Sequence, residues 1–354
     1  MGVQVERRPD GERAGDLERA REPRGPTRRV ALAGLASFAC CSLGALLGLA
    51  AEALMPGEAR QAPGPACYWV SDRDAQEVVA LDADLIVTAR TALERPIELR
   101  ARADGGLWVA CATSGGPTGP HVLRRLTSSG AIANESPIGA LFDLDCLDGD
   151  RALVVEALPD GTRLASIVTD GLRRTLAAAA GPSCITGRDA QVVVGTEQGV
   201  LTLHSAHDPG GVVATRAVGG MLADVAPGPR SATWWVLDAN GGAAGSRILL
   251  LDGNLATLWA KPAGLSALHL APVPRSERVW IADANAPIAR RFGPQGVIEI
   301  PVAPLAMSGA DRGLGLVDGG ALLVAPGALL HLDGLGATAP GQGGFDFLVD
   351  ITAR

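Results

Sequence analysis

The chain has 354 residues, 47% of them hydrophobic but only 3% aromatic, so its core must be built from aliphatic side chains with six Trp as anchors. Its formal net charge is −7; residues 1–29 hold eight Arg against six acids, about +2, which leaves about −9 on the remainder. With Lys261 its single lysine and no basic stripe beyond residue 29, the body excludes nucleic acid as a partner, because phosphate binding needs clustered cations.

Residues 1–29 are charged and poor in apolar side chains, and are read as a disordered cytoplasmic tail. From Val30 to Ala51 there are 22 uncharged residues, which as a helix at roughly 1.5 Å per residue would cross the hydrocarbon core of a bilayer. Arg21, Arg24, Arg28 and Arg29 precede this run, and Glu52 and Glu58 follow it. Arginine on the leading flank puts that flank in the cytoplasm and the body outside. Residues 30–55 are therefore predicted to be a transmembrane or signal-anchor helix, single-pass in the cytoplasmic (inner) membrane, and the membrane is the first expected partner.

Two processed forms compete with a retained anchor. Ala51-Glu52-Ala53 has the small-x-small form of a signal-peptidase site, and cleavage near Ala53 would yield a secreted or periplasmic protein. Thr27-Arg28-Arg29-Val30-Ala31-Leu32 has the twin-arginine of an export signal without its usual continuation, and Ser37-Phe38-Ala39-Cys40 fits a lipidation site poorly. Residues 56–66, rich in Pro and Gly, form a short linker.

The body, residues 67–354, repeats itself. Tyr68-Trp69-Val70-Ser71-Asp72, Trp235-Val236-Leu237-Asp238 and Val279-Trp280-Ile281-Ala282-Asp283 share Trp-x-x-Asp on an apolar run. Trp108 to Cys111 keeps the frame with Cys, Leu153 to Glu156 with Glu, and Val192 to Gly195 with Gly. Each run is preceded by one short apolar segment and followed by two more, with a period near 40 residues. The preceding segments begin at Pro96, Leu141, Pro182, Leu222 and Ser266. No amphipathic stretch long enough for a crossover helix separates them, which argues against a parallel βαβ sheet.

The units run 67–91, 95–138, 139–180, 181–219, 220–264, 265–304 and 305–343. The first lacks its leading strand, while the segment from Gly344 looks like a leading strand with nothing after it; Phe345-Asp346-Phe347 matches Phe142-Asp143-Leu144. Ring closure by that last strand is the economical arrangement, because it removes an open sheet edge. The predicted fold class is all-β: a seven-bladed β-propeller, with six or eight blades as alternatives, behind the N-terminal anchor helix.

Glu277 to Asn285 followed by Ile288 to Gly296, and Pro96 to Trp108 with Asp104-Gly105-Gly106 before the Trp, resemble NHL-type propeller repeats. The resemblance spans residues 67–354 in weak form and is strongest in about three blades; 181–219 and 305–343 depart most. It implies a rigid disc that offers loops and a central channel to a partner. Some relatives of that type are lyases or lactonases, but the Gly-Glu-Gly-Pro segment of gluconolactonase-like members is absent, as is the Gly-His…Trp-Asp signature of WD repeats.

Leading strands line the axis of a propeller, so Glu98, Asp143, Asp145, Asp224, His269 and Asp346 are the candidate channel residues. Carboxylates and one His could converge on a divalent cation or do acid–base work; otherwise they hold the blades together. No catalytic set, cofactor motif or metal-ligand spacing is present, so no cofactor is expected, with a cation in the channel left open. Regularity assigns Asp72, Asp238 and Asp283, with Trp69, Trp108, Trp235 and Trp280, a structural role. Cys146 and Cys184 each precede a Val of the next strand by eight residues, which would allow a disulfide between neighbouring blades in an oxidising compartment. These features predict a non-catalytic module that binds a protein, peptide or glycan; the alternative is a lyase or lactonase acting at the channel.

Overall fold

The computed structural model describes residues 67–353, apart from 114–117, 149, 178–179, 240–244, 308–309, 311 and 347. The tail, the anchor helix of residues 30–55 and the linker of residues 56–66 lie outside the described residues. Among those described, no helix is long and apolar enough to cross a membrane.

The described strands form seven antiparallel sheets of four strands each. Six are consecutive in the chain, and the seventh is composite. In that sheet, blade 1, the last strand Leu348–Ala353 pairs with Tyr68–Asp72, in the register Tyr68↔Ala353 and Val70↔Ile351. The closing strand also accepts a hydrogen bond from blade 2, with Ala101 N–H donating to Thr352 Oγ1 at 3.1 Å. The expected ring closure is present, and the sheets fall within the unit boundaries read from the repeats except in blade 1, where Val87–Ala92 runs one residue past the boundary at 91.

Inner strands sit side by side in a ring: Leu348–Ala353, Pro96–Ala101, Ala140–Asp148, Pro182–Arg188, Leu222–Pro227, Ala271–Pro272 and Arg312–Gly315. Blade 6 differs from expectation. Only Ala271–Pro272 is laddered there, and Ser266 to Leu270 runs alongside without strand pairing.

The core is seven apolar layers, each between two neighbouring sheets. The Trp of each repeat packs on the following blade: Trp69 meets Leu99 and Val109, Trp108 meets Leu144 and Val154, and Trp235 meets Val279 and Ile281. Trp280 packs on blade 7 and donates its indole N–H to Gly319 O at 2.9 Å. Leu153, Val193 and Leu322 fill the same place in blades 3, 4 and 7. Smaller side chains suffice because each layer is lined on both sides by apolar strands.

That placement shifts one repeat by a residue. Blade 4 aligns as Val193 to Thr196, not Val192 to Gly195: Thr196 pairs with Pro182 as Cys111 pairs with Pro96 and Asp238 with Leu222. A Gly at the fourth position carries no side chain to mark the frame, and the Val run reads equally well in either register.

Blades 2 and 7 share one turn chemistry despite their sequence divergence. Asp104 and Asp318 accept the N–H of Gly106 at 3.0 Å and of Gly320 at 2.9 Å. The glycines between them, Gly105 and Gly319, hold φ of 83° and 92°. A Cβ on Gly106 would come within 2.3 Å of Leu126 O, and on Gly320 within 2.3 Å of Leu332 O.

The repeated acid pins each blade's own entry segment. Asp72 accepts from Asp346 N at 2.7 Å, Asp238 from Met221 N at 3.1 Å, and Asp283 from Ser266 N at 3.0 Å. Glu156 does the same for Gly139 N. All four acids are buried, and each satisfies an N–H that would otherwise be stranded where the chain turns inward.

Candidate functional site: the axial cavity

Five inner strands carry a β-bulge near their start, and in four of them the residue after it is aimed at the axis. The ladder skips residue 349 before Asp350, Ile97 before Glu98, Phe142 before Asp143, Ser183 before Cys184 and Ala223 before Asp224. Such an insertion re-aims the next side chain. Arg312, opposite Val324, takes the equivalent place in blade 7. So does His269 in blade 6, two residues before the Trp280 partner Ala271. The equivalent positions of the seven blades thus hold Asp350, Glu98, Asp143, Cys184, Asp224, His269 and Arg312, and all but Cys184 turn to the ring.

Four of them stitch blade to blade. Asp350 accepts Leu99 N–H at 2.9 Å, Glu98 accepts Leu144 N–H at 3.3 Å, Asp143 accepts Ile185 N–H at 2.7 Å, and Asp224 accepts Leu270 N–H at 2.7 Å. In each case the donor directly follows the axial residue of the next blade. The relay stops at blade 4, where Cys184 is turned into the apolar layer towards blade 5, and at the two cationic or neutral bases, His269 and Arg312.

Two guanidiniums neutralise one side of the ring. Arg100 binds Glu98 at 2.9 Å and Asp350 at 2.7 Å, and Arg312 binds Glu98 at 2.7 Å. Burial alone would lower the Arg100 pKa, but the carboxylates of Asp350, Glu98 and Asp145 outweigh it and hold the guanidinium charged. Asp145, two residues along from Asp143, accepts from Thr186 Oγ1 at 2.6 Å and Cys146 N at 2.7 Å. Asp143 has no guanidinium so close. Its burial, then the charges of Glu98 and Asp224, push its pKa well up and favour the protonated acid.

Asp224 and His269 are the exception. Asp224 Oδ2 lies 3.5 Å from His269 Nδ1, the only charged or ring partner it has among the described residues. The two side chains are 16% and 24% exposed, against 3% for Glu98 and 4% for Asp350. Both border a cavity of about 450 Å³ that also touches Arg100, Asp143, Arg312 and Asp350. The turns after the inner strands of blades 5 and 6, Pro227-Gly228-Pro229 and Pro272 to Ser276, form part of its wall, and their prolines stiffen it.

Of the channel residues read from the sequence, Glu98, Asp143, Asp145, Asp224 and His269 do meet here. Asp346 does not: it is exposed, two residues before the closing strand, with its backbone N–H bound to Asp72. The axial carboxylate of blade 1 is Asp350, because the matching Phe-Asp pair sits one turn earlier than the bulge that sets the frame. Arg100 and Arg312 were missed for the opposite reason. Their partners lie up to 250 residues away, and nothing local marks an Arg whose guanidinium turns inward.

The disulfide between Cys146 and Cys184 is not formed; Cys111, Cys146 and Cys184 are free thiols. Cys146 pairs with Ala152 and Cys184 with Gly195, so the two positions are not equivalent. Cys146 packs against the layer between blades 2 and 3, and Cys184 in that between blades 4 and 5. Burial, with Asp145 and Asp148 nearby, pushes the Cys146 thiol up to about 12. Among the described residues no three His, Cys, Asp or Glu are arranged to hold a metal ion.

No family model matches the sequence. Nor does any curated protein match it. Solved structures do. A β-propeller domain of Cps50 (Swd1) from Myceliophteria thermophila superposes with a TM-score of 0.55 at 13% identity, over 74% of this chain and 94% of that one. Hydrazine synthase from Kuenenia stuttgartiensis gives 0.58 at 13% identity, over 77% and 96%. With seven closed four-stranded sheets, that likeness decides the architecture. The chain is a seven-bladed β-propeller. At such identity the likeness is one of fold, and the propeller's chemistry must be argued from its own residues.

Proposed function

We propose that this propeller is a membrane-tethered, extracytoplasmic binding module for a protein, peptide or glycan, and that the recognised end of the ligand seats in the axial cavity. The observation that carries the reading is the division of labour around the ring. Glu98, Asp350, Asp145, Arg100 and Arg312 are consumed by one another and by backbone N–H groups, so they hold blades together. Asp224 and His269 border the cavity with capacity to spare. The NHL-type repeat character of blades 2 and 6 supports the same role, since such a disc presents a fixed concave face. The tether rests on the apolar run of residues 30–51 with arginines before it.

A second reading, a lyase or lactonase, draws on one feature: a His–Asp pair at a cavity wall is a ready acid–base couple. One experiment separates the two. The full chain in lipid nanodiscs is applied to peptide and glycan arrays, beside its Asp224→Asn and His269→Ala variants. Binding that the variants lose, with the bound compound recovered unchanged, supports the module. Recovery of a cleaved product supports the enzyme, and equal binding by all three proteins sinks the axial site. Reporter fusions after residue 66 test the tether: activity of an exported reporter is expected, and activity of a cytoplasmic one would overturn it.

A further inference from the structure

The cavity is electrically sorted along the axis. Its floor is the ring of bulge-aimed side chains, where the Asp224 carboxyl group has no guanidinium partner among the described residues. Its mouth is the turn end of the inner strands, where Arg188 closes the inner strand of blade 4 and Arg275 lies in the turn of blade 6, on the far side of blade 5. Neither arginine has an ion pair among the described residues. Arg188 donates to the carbonyls of Gly228 at 2.7 Å and Arg230 at 3.1 Å, and Arg275 is exposed. Carbonyls orient a guanidinium without cancelling its charge.

From this sorting we infer the ligand class: a small zwitterion, such as a short peptide with free ends, with its ammonium on Asp224 at the floor and its carboxylate between Arg188 and Arg275 at the mouth. The inference rests on the axial cavity being the binding site. A cation alone would leave the arginines of the mouth unanswered, and an anion alone would meet Asp224. A neutral sugar would leave both charges facing an uncharged surface. Turning the zwitterion end for end would place like charges together at both ends, so orientation follows from charge as well as contact. The other charged groups on the wall make no demand, since Arg100, Arg312, Asp350 and Asp145 are already paired. A volume of about 450 Å³ accepts a tripeptide-sized solute.

The test is calorimetric titration of the full chain with triglycine, N-acetyl-triglycine, triglycine amide and maltotriose. Triglycine is expected to bind, and loss of either terminal charge to weaken binding about tenfold or more, as for a charge-assisted contact. Asp224→Asn should erase the preference for the free amine, and Arg275→Gln the preference for the free carboxylate. Arg275 is exposed in a turn, so its variant stays informative even if the change at Asp224 disturbs the bond to Leu270. Equal affinity for the capped and free peptides, or no peptide binding, overturns the inference. Maltotriose binding that is lost on His269→Ala would refute the zwitterion while leaving the binding module intact.

Discussion

The two sides of the axial ring are built from the same repeat and do opposite things. On the side of blades 7, 1 and 2, Arg312, Asp350, Glu98 and Arg100 form one buried network in which every charge has an opposite within 2.9 Å. On the side of blades 4, 5 and 6, the equivalent positions hold Cys184, Asp224 and His269; there is no guanidinium among them, and the wall is open to the cavity. The difference teaches how one scaffold divides its roles. The sealed half contains the composite sheet, where closure has to be enforced, and the open half is continuous in sequence and can spare its side chains for solvent and ligand.

The largest effect should come from the seam itself. Removing residues 348–354 strips blade 1 of its inner strand and exposes the edge of Tyr68–Asp72. The truncated protein should lose cooperative thermal unfolding and elute as aggregate in size-exclusion chromatography; a monomeric, sharply melting truncation would break the comparison. Next comes Arg100→Met. Taking from buried Asp350 its nearest guanidinium, and leaving Arg312 alone to face both Asp350 and Glu98, should cost about 3–5 kcal/mol in denaturant unfolding.

A smaller, pH-dependent effect sits at the junction of the halves. Asp143 is pushed above its unfolded value by burial and by Glu98 and Asp224, so the folded state prefers it protonated. Its contribution is complete below the unfolded carboxylate pKa, about 4, and fades as pH rises through the raised value. Asp143→Asn keeps an acceptor for Ile185 N–H without the titration. Unfolding curves from pH 4 upward should therefore fall for the wild type relative to the variant; parallel curves would count against it. The smallest effect belongs to the open half. His269→Ala should stay within about 0.5 kcal/mol of wild type, and a loss as large as that of Arg100→Met would erase the distinction drawn here.

Legibility in the sequence followed the same divide between local and distant. Blade boundaries and the Trp frame could be read because each recurs every forty residues or so and depends on side chains within its own unit, and ring closure because the first unit lacks the strand that the last segment supplies. The pinning role of Asp72, Asp238 and Asp283 was legible for that reason too. Bulges were not: an extra residue in a strand leaves no compositional trace, and that is why Asp346 was read for Asp350, while Val192 was read for Val193 because a run of Val fits either register. The sealing arginines belong to contacts between residues 98, 100, 312 and 350, which only the closed ring brings together.

Tyr68 and Ala353 face each other across one ladder, so the described chain leaves the ring where it enters it. Seen from any other blade, that junction is one inter-strand step among many. A gene rearranged to begin at Gly220, with residues 353 and 67 joined by a short turn, would encode the same ring of sheets with every blade continuous in the chain and its ends placed in the open half.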